Sequence, residues 1–336
     1  MSEIELRDAI LRHSLQLQRL SAGEAAKAEA ILRELERELR MLLASQNLSA
    51  STKAELASLI RDAEKAISSR YATISVDTHA LAIIVAEKTA EAMEDVFPIN
   101  VLRPTPERLA SLTRNVLIEG SPLSEWWKAQ EGNTARRFAA QVRQGVIAGE
   151  TSEKIVRRVV TEVMPIARRH ARTLVHSSVM ASANEARLAT YRKNSRLIAG
   201  VRWLATLDSH TCKQCAALDG QAWDLDAKPL KGTTVSFIAP PAHASCRCVA
   251  SPIPKSFRDL GLDIDEPAAG TRASSEGPIS ATTTFSDFLK RQSPAFVAKT
   301  LGKRRAELFA SGKLTLRDLI SGSGRELTLD ELERHI

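Results

Sequence analysis

All four cysteines of this 336-residue chain lie in two short stretches, DSHTCKQCAALDG at 208–220 and PPAHASCRCVASP at 240–252. Cys212 and Cys215 form a C-x-x-C turn, the spacing that lets two thiolates on one knuckle face a single tetrahedral ion. His243, Cys246 and Cys248 follow as H-x-x-C-x-C, so five donors are offered for four positions. Thiolate together with imidazole selects Zn2+ over hard cations. Four protein ligands close the coordination sphere, which makes the expected Zn2+ site structural rather than catalytic. Spacing leaves open which donor is spare. The same C-x-x-C also suits a redox pair or an iron–sulfur cluster. A module of this length with few large apolar side chains buries little by itself, and structural zinc adds on the order of 10 kcal/mol to such a unit.

A hydrolytic reading uses the same stretches. His210 and His243, with Asp208 or Asp219 as auxiliary groups, would suit a metal-dependent nuclease, but that chemistry requires an open coordination position. Asp219–Gly220 reads instead as a tight turn. No phosphate-binding glycine loop, dinucleotide fingerprint or nucleophile elbow occurs. His176, Ser177 and Ser178 are adjacent on a predicted helix, where neighbours diverge by about 100°, so they cannot converge as a triad.

Charge adds a second feature. The chain carries a formal +7, yet Arg136 to Arg202 alone holds 14 Lys/Arg against 4 Asp/Glu, an excess of ten. Such a segment can contact phosphates, through Arg157, Arg158, Arg168, Arg169 and Arg172, or it can be a helix surface paired with acidic neighbours. No aromatic platform interleaves the basic residues, and the cysteine spacing differs from zinc ribbons and fingers, so a stand-alone zinc protein reading nucleic-acid sequence is disfavoured.

The elements that must position these residues are mostly helices. Aromatics are 4% of the chain while Ala, Leu, Arg and Glu abound, which predicts a mainly α fold with a small α+β zinc-stabilised module. Leu32, Leu35, Leu39 and Leu42 recur at helical spacing within 1–99, an N-terminal helical region and a docking candidate. Within 100–199, caps at Thr105, Ser121 and Thr151 predict helices at 106–118, 122–147 and 152–195, the last broken at Pro165. Residues 200–254 form the α+β module, with VRWLATLD as a strand and Trp203, Trp223, Phe237 and Val249 as its core. Residues 255–283, poor in anything to bury, read as a flexible linker. Short helices follow in 284–336, at 285–291, 294–310, 315–321 and 328–335, three of them announced by Thr284/Asp287, Thr315/Asp318 and Thr328/Glu331. No run is long and apolar enough for a membrane span, and MSEIELRDAI lacks the apolar core of a secretory signal, so the expectation is a cytoplasm where thiols stay reduced.

The order R-T at 172–173, N-E-A-R at 184–187, Trp203, D-S-H-T-C-K-Q-C at 208–215 and P-P-A-H-A-S-C-R-C at 240–248 resembles the phage head morphogenesis domain. That family holds the minor head proteins similar to the F protein of phage Mu and to the gp7 protein of a Bacillus phage. The resemblance spans about 100–255, and FSDFLKRQSPAFVAKTLGKRRAELFASGKLTLRDLI resembles the C-terminal extension of many Mu-type members. One departure is Leu174, where many relatives carry an acidic residue. The resemblance implies a non-enzymatic minor capsid protein of a tailed phage or prophage, with a structural role in head assembly. Its place would be the virion, inside the head near the portal vertex, after assembly in the host cytoplasm. The implied partner is the portal protein, with packaged double-stranded DNA, a scaffold or the major capsid protein as further ones, and neither a membrane nor a small-molecule substrate.

Overall fold

The computed structural model describes residues 3–97, 100–261, 263, 271–280 and 282–334; Pro98 and the linker residues 262, 264–270 and 281 lie outside the described residues. Two long helices come first, α1 (Glu3–Ala44) and α2 (Lys53–Val96). At about 1.5 Å per residue each runs for roughly 65 Å. The reversal between them ends in a capping box, in which the Thr52 hydroxyl accepts from Glu55 N and the Glu55 carboxylate accepts from Thr52 N. Leu32, Leu35 and Leu39 are fully buried as their period requires, with Leu43 rather than Leu42 completing the stripe.

Next come α3 (Pro106–Asn115), the strands β1 (Leu117–Ile118) and β2 (Ser121–Pro122), and α4 (Leu123–Ile147). Ser121 pairs in β2, so Pro122 rather than Ser121 occupies the cap position of α4. The expected break at Pro165 takes another form. Helix α5 (Ser152–Arg158) passes through a π turn at Val159–Val163 directly into α6 (Met164–Lys193), and the wider turn accommodates Pro165, the second residue of α6.

Strands β3 (Ile198–Leu204), β4 (Ala222–Asp224) and β5 (Val249–Pro254) form an antiparallel sheet in the order β4-β3-β5, with α7 (Lys213–Leu218) in the first cysteine stretch. Gly200 allows β4 to pair closely, because a Cβ there would stand 2.2 Å from the Trp223 carbonyl. This sheet does not keep a core of its own. Val201, Trp203, Trp223 and Val249 join one apolar cluster with Leu6 and Ile10 of α1 and with Phe285, Phe288 and Leu289 beyond the linker.

Part of the stretch read as linker is built into that body. Strands β6 (Thr271–Ser274) and β7 (Gly277–Ser280) pair as a hairpin. From it the Arg272 guanidinium reaches Asp219 at 2.8 Å, with both side chains at most 3% exposed. The C-terminal part comprises α8 (Phe285–Lys290), α9 (Pro294–Leu301), α10 (Lys303–Ala310), a 3-10 turn at Leu316–Leu319 and α11 (Leu329–Glu333). The predicted capping boxes form at Thr284 and Thr328, and at Thr315 the Asp318 carboxylate accepts from Thr315 N and its hydroxyl. The helix expected over 294–310 divides at Gly302, whose φ of 84° lies in the left-handed region.

Candidate metal centre

The two cysteine stretches converge. Cys212 caps the N-terminus of α7, its sulfur accepting from Cys215 N at 3.4 Å, so the first turn of that helix turns both thiols the same way. The loop before β5 supplies the other donors. His243 Nε2 stands 3.0 Å from the Cys212 sulfur and 3.1 Å from that of Cys215, and the Cys215 and Cys246 sulfurs are 3.6 Å apart. Within 4.8 Å of one another lie the donor atoms of Cys212, Cys215 and His243, and those of Cys215, Cys246 and Cys248. Cys215 belongs to both groups. Tetrahedral sulfur ligands on 2.3 Å bonds stand about 3.8 Å apart, and a sulfur and a nitrogen about 3.6 Å. The observed separations are near those values, and the 3.0–3.1 Å gaps around His243 would open slightly to admit an ion.

The electrostatics of the bare cluster show what a cation would replace. The Cys212 thiol is lowered to about 5, first by its hydrogen bond with Cys215 and then by His243. Cys246 is held well below the usual thiol range by hydrogen bonds to Cys215 and Cys248. Cys215 is driven up by hydrogen bonds to the sulfurs of Cys212, Cys246 and Cys248, and Cys248 by burial. His243 is pushed up to about 11 by hydrogen bonds to Cys212 and Cys246. Five ionisable donors thus bias one another within a small volume, two thiols toward the thiolate and two away from it. A divalent cation would supply the missing positive charge and let the remaining thiols ionise. The donor set fits a bound metal ion.

Neighbouring groups hold the loop in place. His243 Nδ1 lies 2.8 Å from the Ala244 carbonyl; donation there leaves Nε2 free to accept, the tautomer that a metal needs. Glu119, at the tip of the β1–β2 hairpin, accepts from Ala244 N at 2.6 Å, and Ser177 Oγ accepts from Ser245 N at 3.0 Å. His176 spans Ser21 Oγ of α1 at 3.1 Å and the Cys246 carbonyl at 3.3 Å.

Asn184, first residue of the N-E-A-R motif, uses its whole hydrogen-bonding capacity. Its amide donates to the carbonyls of Met180 and Cys248, while its oxygen accepts from Ala250 N and from Arg187. Arg187 is completely buried, and its other arm reaches His13 Nδ1 at 2.9 Å. An arginine only donates, so His13 is neutral there, lowered to about 3 by burial and then by the Arg187 charge. The N-E-A-R motif therefore grips the second cysteine strand with one end and α1 with the other. The motif's role is invisible in the sequence, because its partners are 64 and 174 residues away.

The auxiliary carboxylates of the hydrolytic reading are occupied. Asp208 accepts both arms of Arg247, at 2.5 and 2.7 Å, and also His210 N. Asp219 accepts from Arg272, Ala205 N and Phe285 N. His210 is exposed and stands outside both donor groups.

The five arginines of the basic segment are placed unequally. Arg168 reaches Glu36 and Arg172 reaches Glu29, each at 2.5 Å, tying α6 to α1. Arg157 pairs with Glu153 at 3.6 Å, and Arg158 with the nearly buried Glu150. Only Arg169 of the five lacks a carboxylate partner among the described residues. Most of this set follows the second alternative, a helix surface paired with acidic neighbours.

Residues 136–251, about a third of the chain, match the family model described as Phage Mu protein F like protein. The match supports the phage head morphogenesis family for that domain, from α4 through the second cysteine stretch. No curated protein matches, and no solved structure matches. No described helix is long and apolar enough to cross a membrane.

Proposed function

We propose that this chain is a minor head protein of a tailed phage or prophage, acting structurally at the portal vertex, with its cysteine loops clamped by one Zn2+. The observation that carries this reading is the coincidence of the family match with the donor cluster. Residues 136–251 contain every donor and most of the α6 groups that hold the loops. The ion would be held by Cys212, Cys215 and His243 with Cys246 or Cys248, and bound there it supplies charge and cross-linking rather than a reactive water, since protein donors can fill all four positions. The occupied carboxylates of Asp208 and Asp219 also support a structural over a hydrolytic role.

The α1–α2 hairpin is the element suited to reach a partner ring, being long and regular with exposed apolar side chains at Met41, Val76 and Ile84. Co-expression of this chain with the portal product encoded beside it, followed by affinity capture, tests the assignment. We expect co-purification at a fixed ratio, weakened when the exposed Met41, Val76 and Ile84 of that hairpin are changed to Glu. A chain that never co-purifies with the portal product, and is missing from purified heads, overturns the reading.

A further inference from the structure

With four of the five marked arginines paired, the positive excess of the segment resides elsewhere. Arg169 follows Arg168 by one residue, about 100° around α6. Arg168 and Arg172 reach α1, and Arg169 stands exposed about 100° and 60° around the helix from them, on the flank next to His170. On that side stands α4, against which His170 of α6 is fixed by Gln130 at 2.9 Å. Arg137 stands seven residues, about two turns, beyond Gln130 on the same side of α4, and burial and then the charges of Arg169 and Arg137 lower His170. Helix α4 continues the patch outward. Lys128, Arg136, Arg137 and Arg143 are all exposed, and none of them has a carboxylate partner among the described residues. Between them the surface is low: Ala140 is exposed, and a Cβ built on Gly132 meets nothing within 4 Å.

We infer that this α4–α6 face, formed by Arg136, Arg137 and Arg143 of α4 with Arg169 of α6, binds the phosphate backbone of double-stranded DNA without reading its sequence. Guanidinium groups match phosphate oxygens in paired geometry, and unpaired exposed ones give up no existing ion pair on binding. From Lys128 to Arg143 the outward side of α4 has no aromatic or large apolar side chain, and the exposed Ile147 stands alone one turn beyond. A protein partner would lack its usual anchor there, and single strands would lack a stacking platform. Arg136 and Arg143 are seven residues apart, about 10.5 Å along the helix axis, so the charges form a row rather than a point. The inference deepens the head-protein reading, in which packaged DNA is adjacent, but it rests on surface chemistry and is tested without the portal.

The test is anisotropy titration of the full-length chain with a labelled duplex of random sequence over a series of salt concentrations. For Arg137→Glu/Arg169→Glu we expect at least about tenfold weaker binding, and a salt slope reduced by about 2, roughly 0.9 for each lost phosphate contact. The charge-matched control Lys299→Glu/Lys313→Glu, on exposed positions of the C-terminal part, should stay close to the parent, and Arg137→Lys/Arg169→Lys should retain most of the affinity. If the first variant misfolds by circular dichroism, Arg136→Gln/Arg143→Gln provides the same test with a smaller charge change. Unchanged binding by the folded variant, or an equal loss in the control, overturns the inference. Displacement of DNA by polyglutamate at equal charge concentration also overturns it, and assigns the face to an acidic protein. A variant that loses DNA but is still captured by the portal product leaves the two readings separable, as does the parent chain if it binds DNA and is not captured.

Discussion

Along α2, from Lys53 to Val96, fifteen side chains are buried on one continuous helix, whereas between Ala205 and Cys248 the chain offers a six-residue helix and a three-residue strand as its named elements. The first region is solid through period: a stripe of Leu, Ile and Ala meets α1, α4 and α6, and the backbone satisfies its own hydrogen bonds. The second region has little backbone ladder to rely on. Its loops are held by convergent donors, by side chains that accept stray N–H groups, and by carboxylates that receive arginine forks. A region with low regularity can thus be as well determined as a long helix, but each of its constraints is a single residue.

That contrast can be broken or sharpened experimentally. The largest effect is expected from Cys215→Ser, since Cys215 belongs to both donor groups. If metal contributes on the order of 10 kcal/mol, its loss should melt the loop region while most of the helical signal persists. Thermal unfolding followed by both tryptophan fluorescence and far-UV circular dichroism should then separate into two transitions. A single unshifted transition would show that the loops need no clamp. Asp219→Ala comes next, because it leaves the buried Arg272 guanidinium without its counter-charge, a change that costs about 3–5 kcal/mol. Hydrogen exchange should report loosening of the 271–280 hairpin and of α8, with metal content unchanged.

Leu35→Ala probes the other region. The side chain is fully buried, and truncation should cost about 2–4 kcal/mol through lost burial and the cavity left behind. Only the helical transition should move, and retained metal binding checks this. The smallest effect at neutral pH concerns the seam between the regions, where His13 of α1 accepts from Arg187. Its folded-state value of about 3 lies below the ordinary 6.5. The unfolded chain therefore takes up a proton that the folded one refuses as pH falls below 6.5. Stability is fully present above 6.5 and declines toward 3, by at most about 1.4 kcal/mol per pH unit. His13→Gln keeps an acceptor for Arg187 and should flatten that part of the pH dependence in denaturant titrations.

Legibility in the sequence followed the range of the interaction. Features decided within a few residues were readable: the leucine stripe of α1, the caps at Thr284, Thr315 and Thr328, and the pairing of donors within each cysteine stretch. The convergence of the two stretches was also readable, since soft donors gathered in two short stretches have few other uses. Features set by topology were not. Arg272 reads as a linker residue until the fold brings it 53 positions back to Asp219, and the same holds for Asn184 with Cys248 and for Arg168 with Glu36. Pro165 misled for a local reason. A proline ends a helix only where its missing N–H and its ring cannot be accommodated, and the π turn before it accommodates both.

A metal clamp on the cysteine loops requires one ion of defined identity and ligand shell. Zinc-edge X-ray absorption on the full-length protein, purified without added metal or chelator, measures both. We expect about one zinc per chain, with sulfur neighbours at about 2.3 Å outnumbering a nitrogen at about 2.0 Å. Protein that is folded to the same melting temperature without metal, or an ion surrounded only by oxygen and nitrogen, would contradict it.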